Sequence, residues 1–493
     1  MKRAFLIVFL ILAGSSAWLY WTQPDRVEKI PVLYWTTQDD PTKRETIALF
    51  KSWLQDHKLP PVDLRIDNVN QDPTKKLAQG LAGVGSDLFD IYTFQTELFA
   101  SSGMLMDVTD KAQELGFGPE ATYPAVRSDM VIDGRQYGFP RNAGGTICWI
   151  SRDTFARYGI PEPTFRWSWD DFERIGRAFV TAANPPGTRQ RAYFMQAAPR
   201  PIQVLRRGLG LSDFNETMTR CILDDPRNAE VMRRLYRWTV ELHLFPTLAE
   251  ENAMSADAGR AGDAIFYNFA KGRYATLYLP RWALIRIRPL GIRNLRAIEP
   301  FNSGFSNMEF ACGVISVYAG TKHPVEAVRF LQYLTSDRFN DLIARCGDSL
   351  PPVPRFLHTE AFLHPPDHPE EWTVEESFLK LDPVLGIAYC RSPFVFLGTV
   401  YRIENEVYDS LLAGRVSPED SGRMEADRVN AEIALNVQAD AALRRKYEAM
   451  LQVQQRIDRL RAEGRKVPAA WITNPFDLVY YRTKGWLEEE PRP

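Results

Sequence analysis

The sequence predicts an α/β protein built from more than one structural unit, and three observations carry that expectation. First, three short apolar runs, VLYWT (32–36), VDLRIDNV (62–69) and LFDIYTF (88–94), have the length and β-branched or aromatic content of buried strands. Second, the stretches between them show helical spacing, which favours a mostly parallel sheet with right-handed crossovers. Third, 493 residues exceed what a single ordinary hydrophobic core organises. Apolar residues at 45% and charged residues at 25% are the balance of a folded chain rather than a disordered one. A net charge of −2 gives no global positive field, so no nucleic-acid partner is expected.

Each element has a local cause. Lys2 and Arg3 precede an uncharged stretch from Ala4 to Trp21, the pattern of an export segment. Ser15, Ser16 and Ala17 suit cleavage, whereas the length of the stretch and its Trp18, Tyr20 and Trp21 belt suit a retained anchor. Residues 1–24 are therefore a signal peptide or an N-terminal membrane anchor, and both readings place the body outside the cytoplasmic membrane. No cysteine precedes Cys148, which excludes a lipid-anchoring cysteine close behind the segment. The five cysteines, Cys148, Cys221, Cys312, Cys346 and Cys390, lack the spacing of a metal or redox motif, and no metal site or cofactor is expected.

Asp40-Pro41 opens a helix with Ile47, Phe50 and Leu54 on one face, and Leu77 and Leu81 mark the next. Asp133-Gly134 sits between 131–132 and 135–139 as a tight hairpin turn. Ser168 and Asp171 have capping-box spacing ahead of Phe172, Ile175 and Phe179, so a helix starts at Trp169. Pro226 and Pro324 each start another helix. LHPPDHPEEW (363–372) is the main loop signal. After residue 440, Leu443, Met450 and Ile457 recur at heptad spacing with Val453 and Leu460 between them. A long amphipathic helix docked on the body is expected there.

The order of these segments resembles the extracellular solute-binding proteins of ABC importers, in particular the large carbohydrate-binding family. The resemblance rests on KLAQGLAGVGSDLFDIYTF, on SSGMLMDVTD and on DGRQYGFPRNAGGTICWISRDTFARYGIPEPTFRWSWDDF, the most specific stretch. KGRYATLYLPRWAL and FACGVISVYAGTKHPVEAVRFLQYLTSDRFNDLIARCGDSLPPV extend it, so that it covers roughly residues 30–435 in order. Trp149 and Ser151 stand where the family prefers Tyr and Asn, and Arg166-Trp167-Ser168 lengthens one approach; these departures bear on the ligand rather than the fold.

The resemblance implies a two-lobed periplasmic-binding-protein fold, a Venus flytrap with hinge crossovers. Lobe 1 would comprise 30–141 and 281–345, lobe 2 would comprise 142–280 and 346–435, and 436–493 would form a helical C-terminal extension. It further implies an extracytoplasmic, monomeric binding component that captures a carbohydrate, expected to be an oligosaccharide, and delivers it to ABC permease subunits. No chemistry on the ligand is implied.

Sugars present apolar C–H faces and a rim of hydroxyls, so a suitable cleft needs aromatic plates and planar polar side chains. In open α/β sheets these belong at the carboxyl ends of strands. Trp35, Gln38 and Asp39 end the first strand, and Thr93 and Gln95 follow the third. Arg141 and Asn142 lie in GRQYGFPRNAGG (134–145), read as the first crossing between lobes, whose glycines would give hinge freedom. Trp282, after ATLYLP, resembles the family's stacking aromatic. Phe305, Asn307 and Glu309 come from FNSGFSNMEF (301–310). No Gly-x-Ser-x-Gly elbow, His-Glu-x-x-His or phosphate loop occurs. A glycan-active hydrolase needs only two carboxylates at no fixed spacing, so it stays an alternative, as does a sugar-sensing receptor subunit coupled to a membrane signalling protein.

Overall fold

The computed structural model describes residues 9, 11–16, 18, 30–197, 201–257 and 263–488. The export segment, 1–24, lies largely outside the described residues. Among those described, no helix is long and apolar enough to cross a membrane.

Alternation of buried and exposed side chains builds the first strand, β1 (Val32–Thr36): Leu33 and Trp35 are buried while Tyr34 faces out. Asp40 then caps the Pro41–Asp56 helix by accepting from the Lys43 N–H at 2.9 Å. β2 (Asp63–Asp67) and β3 (Leu88–Tyr92) follow, each after a helix, and both pair with β1 in parallel. The hairpin β4 (Val131–Ile132) and β5 (Arg135–Gln136) turns through Asp133 at φ 49° and Gly134 at φ 79°, the paired positive φ of a type I′ turn. β6 (Phe139–Gly145) and β7 (Ile147–Ser151) come next, then β8 (Tyr193–Met195), β9 (Tyr274–Leu279), β10 (Leu295–Ile298), β11 (Met308–Val317) and β12 (Gly386–Ala388).

Two sheets divide these strands. In the first, β3 and β6 both pair antiparallel with the long β11, whose N-terminal residues also pair parallel with β12. The second runs β10-β7-β9-β8, with only β8 and β9 parallel. Thr146 alone separates β6 of the first sheet from β7 of the second. The chain returns through 299–307 between β10 and β11. Sheet membership thus departs from the boundaries expected at 141/142 and 280/281. β6 carries the first lobe on to Gly145, and β10, expected in the first lobe, pairs with β7 because Leu295, Ala297 and Ile298 are buried in that second sheet.

The crossing is packed, not loose. Gly145 lies so close to Met308 that an added Cβ would stand 2.6 Å from its terminal methyl carbon. Close approach, rather than the hinge freedom expected of these glycines, is what Gly145 supplies. Arg281, fully buried just after β9, forks onto Glu375 at 2.6 and 2.7 Å and donates to the carbonyls of Ala344 (2.8 Å) and Ser349 (2.5 Å). It therefore ties β9 to the helix Asp337–Cys346 and to the helix Trp372–Leu385 that feeds β12. All five cysteines are free thiols.

The heptad pattern after residue 440 forms the Ala441–Ala462 helix, with Ile457 fully buried. Asn474 docks the end of the chain. Its amide donates to Ser212 Oγ (2.9 Å) and to the carbonyls of Phe214 (2.8 Å) and Asn215 (3.3 Å). Its side-chain oxygen caps the Pro475–Lys484 helix at the Phe476 N–H, 3.0 Å away.

Candidate ligand-binding site

Where the two sheets meet, the carboxyl end of β3 presents a pair of aromatic rings. Tyr92 and Phe94 stack at 5.2 Å with planes 3° apart, and Phe94 stands 5.3 Å from Tyr389, the residue after β12. The stack is fixed locally because the Gln95 side chain accepts from the Tyr92 N–H at 3.1 Å as the Thr93–Ser101 helix begins. Tyr92 is 44% exposed, whereas Phe94, Tyr389 and Tyr401 are half-buried. Together they form a graded aromatic surface from open to enclosed.

Glu309, second in β11, lies close enough to Tyr278, Tyr389 and Tyr401 to act on their hydroxyls. Burial pushes its carboxyl up to about 7, against the opposing pull of Arg207. Arg207 is itself committed to the backbone, donating to the carbonyls of Ala388 (2.8 Å) and Ile387 (3.4 Å). Burial and the neighbouring Glu309 raise the hydroxyls of Tyr278 and Tyr389, and burial, Tyr389 and Glu309 raise that of Tyr401. These phenols stay neutral and keep both donor and acceptor capacity at physiological pH. The Tyr278 hydroxyl lies within reach of the Glu309 carboxylate.

On the first-lobe side sits a buried ion network. Arg141 Nε donates to Asp90 Oδ1 at 2.7 Å, and its Nη1 lies 3.5 Å from Asp348 Oδ2. Asp348 also receives Lys43 Nζ at 2.9 Å and the Asn142 amide at 3.3 Å. Thr37 and Lys76 complete the shell of Asp90, through its carboxylate and its backbone carbonyl respectively. Burial works against the charge on Arg141 and Lys43, yet Asp90 and Asp348 lift the one and Asp348 the other above their ordinary values. Burial works against Asp348 too, and Lys43 and Arg141 hold it below the ordinary carboxylate value. Arg141 Nη1 and the Thr93 hydroxyl, both buried, make no hydrogen bond among the described residues, so donors remain to spare at the edge of the network.

The residues proposed from sequence fall into two groups. Thr93, Gln95, Arg141, Asn142 and Glu309 gather at this junction, although Gln95 is engaged in the capping bond to Tyr92 and Asn142 in Asp348. The others are placed differently. Trp35 is only 1% exposed and packs in the first-lobe core 5.3 Å from Phe330, because the Pro324–Leu334 helix covers that face of β1. Gln38 is exposed on the loop after β1, and Asp39 pairs with Arg44 at 2.7 and 2.9 Å. Trp282 is half-buried with its ring 6.0 Å from Phe266. Phe305 packs edge-on against Phe476 and Tyr480 of the C-terminal helix. Asn307 is spent on the carbonyls of Val204 (3.1 Å) and Phe305 (3.0 Å). Tyr92, Phe94, Asp90, Tyr389 and Asp348 were not picked out from sequence. For the first two the available signal was the Tyr-Thr-Phe alternation at the end of the third strand.

Residues 55–200 match the family model of the bacterial extracellular solute-binding proteins. No curated protein sequence matches the chain. Among solved structures, the ABC substrate-binding protein of Listeria monocytogenes in complex with cycloalternan superposes with a TM-score of 0.67 at 18% identity. The match covers 82% of this chain and 100% of that one. An ABC-transporter solute-binding protein of Thermotoga lettingae bound with α-D-tagatose gives 0.67 at 15% identity, over 82% and 100% of the two chains. The maltose/maltodextrin-binding domain of Bdellovibrio bacteriovorus bound to maltotriose gives 0.63 at 13% identity, over 83% and 100%. The chain therefore has the two-lobed fold of the ABC-transporter substrate-binding proteins.

Proposed function

We propose that the protein is the extracytoplasmic solute-binding component of an ABC importer, capturing an oligosaccharide between its lobes and presenting it to the permease without altering it. The observation that carries this reading is the aromatic surface of Tyr92, Phe94, Tyr389 and Tyr401 beside Glu309, at the junction of the two sheets. Aromatic faces accept the C–H side of a sugar ring, while neutral phenols, Glu309 and the spare Arg141 donor accept and give hydroxyl hydrogen bonds. Phe94 follows β3 of the first sheet, and Tyr401 lies on the Leu397–Leu412 helix, whose Tyr408 and Leu411 pack in the core of the second sheet. A ligand touching both lobes at once would stabilise the closed arrangement, as such hinged folds require. In this reading the first lobe comprises the elements of the first sheet, the second those of β7 to β10, and 436–493 is an extension of the second. An exported monomer whose N-terminal segment is cleaved or retained fits the same role.

Isothermal titration against a panel of maltose-, cellulose- and chitin-derived oligosaccharides should find at least one ligand. Phe94→Ala should weaken it by 10-fold or more, consistent with the roughly 1–3 kcal/mol carried by a well-placed aromatic group. An unchanged affinity in that variant, or cleavage of the glycan by the pure protein, would overturn the proposal.

A further inference from the structure

Away from the lobe junction, a half-open cavity of about 1100 Å³ lies between the loop following residue 210 and the helices Pro418–Ala439, Ala441–Ala462 and Pro475–Lys484. Sites for small ligands commonly run roughly 300–1,000 Å³. None of the aromatic residues at the lobe junction lines this cavity.

Two buried carboxylates face it, and only one is satisfied. Glu216 receives Arg461 Nη1 (2.6 Å), the Gln454 amide (2.7 Å) and the Tyr481 hydroxyl. Asp477, 7% exposed, accepts no hydrogen bond and makes no ion pair through its carboxylate among the described residues. Burial, with Glu216 nearby, pushes its pKa well above the usual range. Its carboxylate opens on the cavity, from which donors can come. One turn along the same helix, Tyr480 lines the cavity with its ring 5.8 Å from Trp486, which is 46% exposed and also stands edge-on to Tyr481 at 5.3 Å.

The charge of the lining selects the class of ligand. Four arginines, Arg220, Arg227, Arg444 and Arg461, line the cavity, and Asp427 and Asp458 join the two buried acids to give four carboxylates. With every acid ionised the charges cancel, and a proton retained on Asp477 leaves one excess positive charge, so no multiply charged ligand is favoured. What remains is an acceptor in need of hydroxyl donors beside aromatic faces.

We propose that this cavity is a second saccharide site, in which Asp477 accepts from ring hydroxyls and Tyr480 and Trp486 supply the apolar faces. It is independent of the junction site, and the test separates them. In the full-length protein carrying Phe94→Ala and Tyr389→Ala, saturation-transfer NMR is run with maltotriose, cellotriose, chitotriose and mannotriose as probes. At least one trisaccharide should still bind, and adding Asp477→Leu should weaken it by 10-fold or more. Trp486→Ala, at a half-exposed position, should weaken the same probe several-fold. Absence of binding by all four probes in the doubly substituted protein overturns the proposal. So does binding that survives both Asp477→Leu and Trp486→Ala. A partial loss of binding in the Phe94→Ala, Tyr389→Ala protein relative to wild type, with at least one probe still bound, reports on the junction site alone.

Discussion

Glu309 concentrates the residue-scale chemistry of the junction. Its folded pKa of about 7 lies above its ordinary 4.5, so the folded state holds the proton more tightly than the unfolded one. The stability this contributes is fully present below about pH 4.5 and is lost as pH rises through 7. At 1.36 kcal/mol per pKa unit the whole swing is roughly 3.4 kcal/mol, of which about 2.5 kcal/mol falls between pH 5 and pH 8. Urea denaturation at pH 5 and pH 8 should show Glu309→Gln losing less stability between the two than wild type, by about that amount. Equal losses would mean that Glu309 titrates near its ordinary value. Arg281 is a second such residue. Its fork on Glu375 has no exposure on either side chain, so Glu375→Gln strands a buried guanidinium and should cost roughly 3–5 kcal/mol in the same experiment. A cost under 1 kcal/mol would show that the backbone carbonyls alone satisfy Arg281.

At the scale of elements, the sequence signals were local and the structure keeps them. β1 and β3, the Asp40 and Ser168 caps, the Asp133-Gly134 turn and the Pro226 and Pro324 starts depend on a few neighbouring residues, and they form where those residues direct. The site was less legible because it depends on which helix covers which strand end. Trp35 and Tyr92 both stand at or near the carboxyl ends of parallel strands, and nothing local separates them. The Pro324–Leu334 helix, more than 230 residues further on, brings Phe330 over the first and leaves the second open. Spacing likewise gave no hint that Asp348 would meet Lys43 across the fold. Asn474 anchors the C-terminal extension alongside the Glu216 contacts to Gln454, Arg461 and Tyr481, so Asn474→Ala should leave three acceptors around 212–215 without this donor and uncap the last helix. Each such loss costs about 1 kcal/mol or more. Hydrogen exchange should rise across 436–488 while β1 to β3 keep their protection; protection unchanged in the extension would show that its other contacts hold it without Asn474.

The whole molecule turns on a narrow junction. β6 and β7 are separated by one residue, and Thr146 donates its N–H to the Glu309 carbonyl at 3.1 Å, so the strand crossing is bonded to the residue beside the aromatic surface. Gly145→Ala forces Met308 from its place and should cost roughly 1–3 kcal/mol by overpacking. Combining it with Met308→Val should recover at least half of that in thermal denaturation. A Gly145→Ala protein as stable as wild type would mean that Met308 swings aside freely.

Trp149 stands three residues past the crossing, its indole N–H held by the Leu279 carbonyl at 2.8 Å and its ring 5.5 Å from Phe378, on the helix that leads into β12. Its two faces thus belong to segments that finish in different sheets. The molecule carries its own optical gauge. Any rotation of one sheet against the other changes the surroundings of this indole, so the difference in emission between wild type and Trp149→Phe should follow occupancy of the junction without an added label.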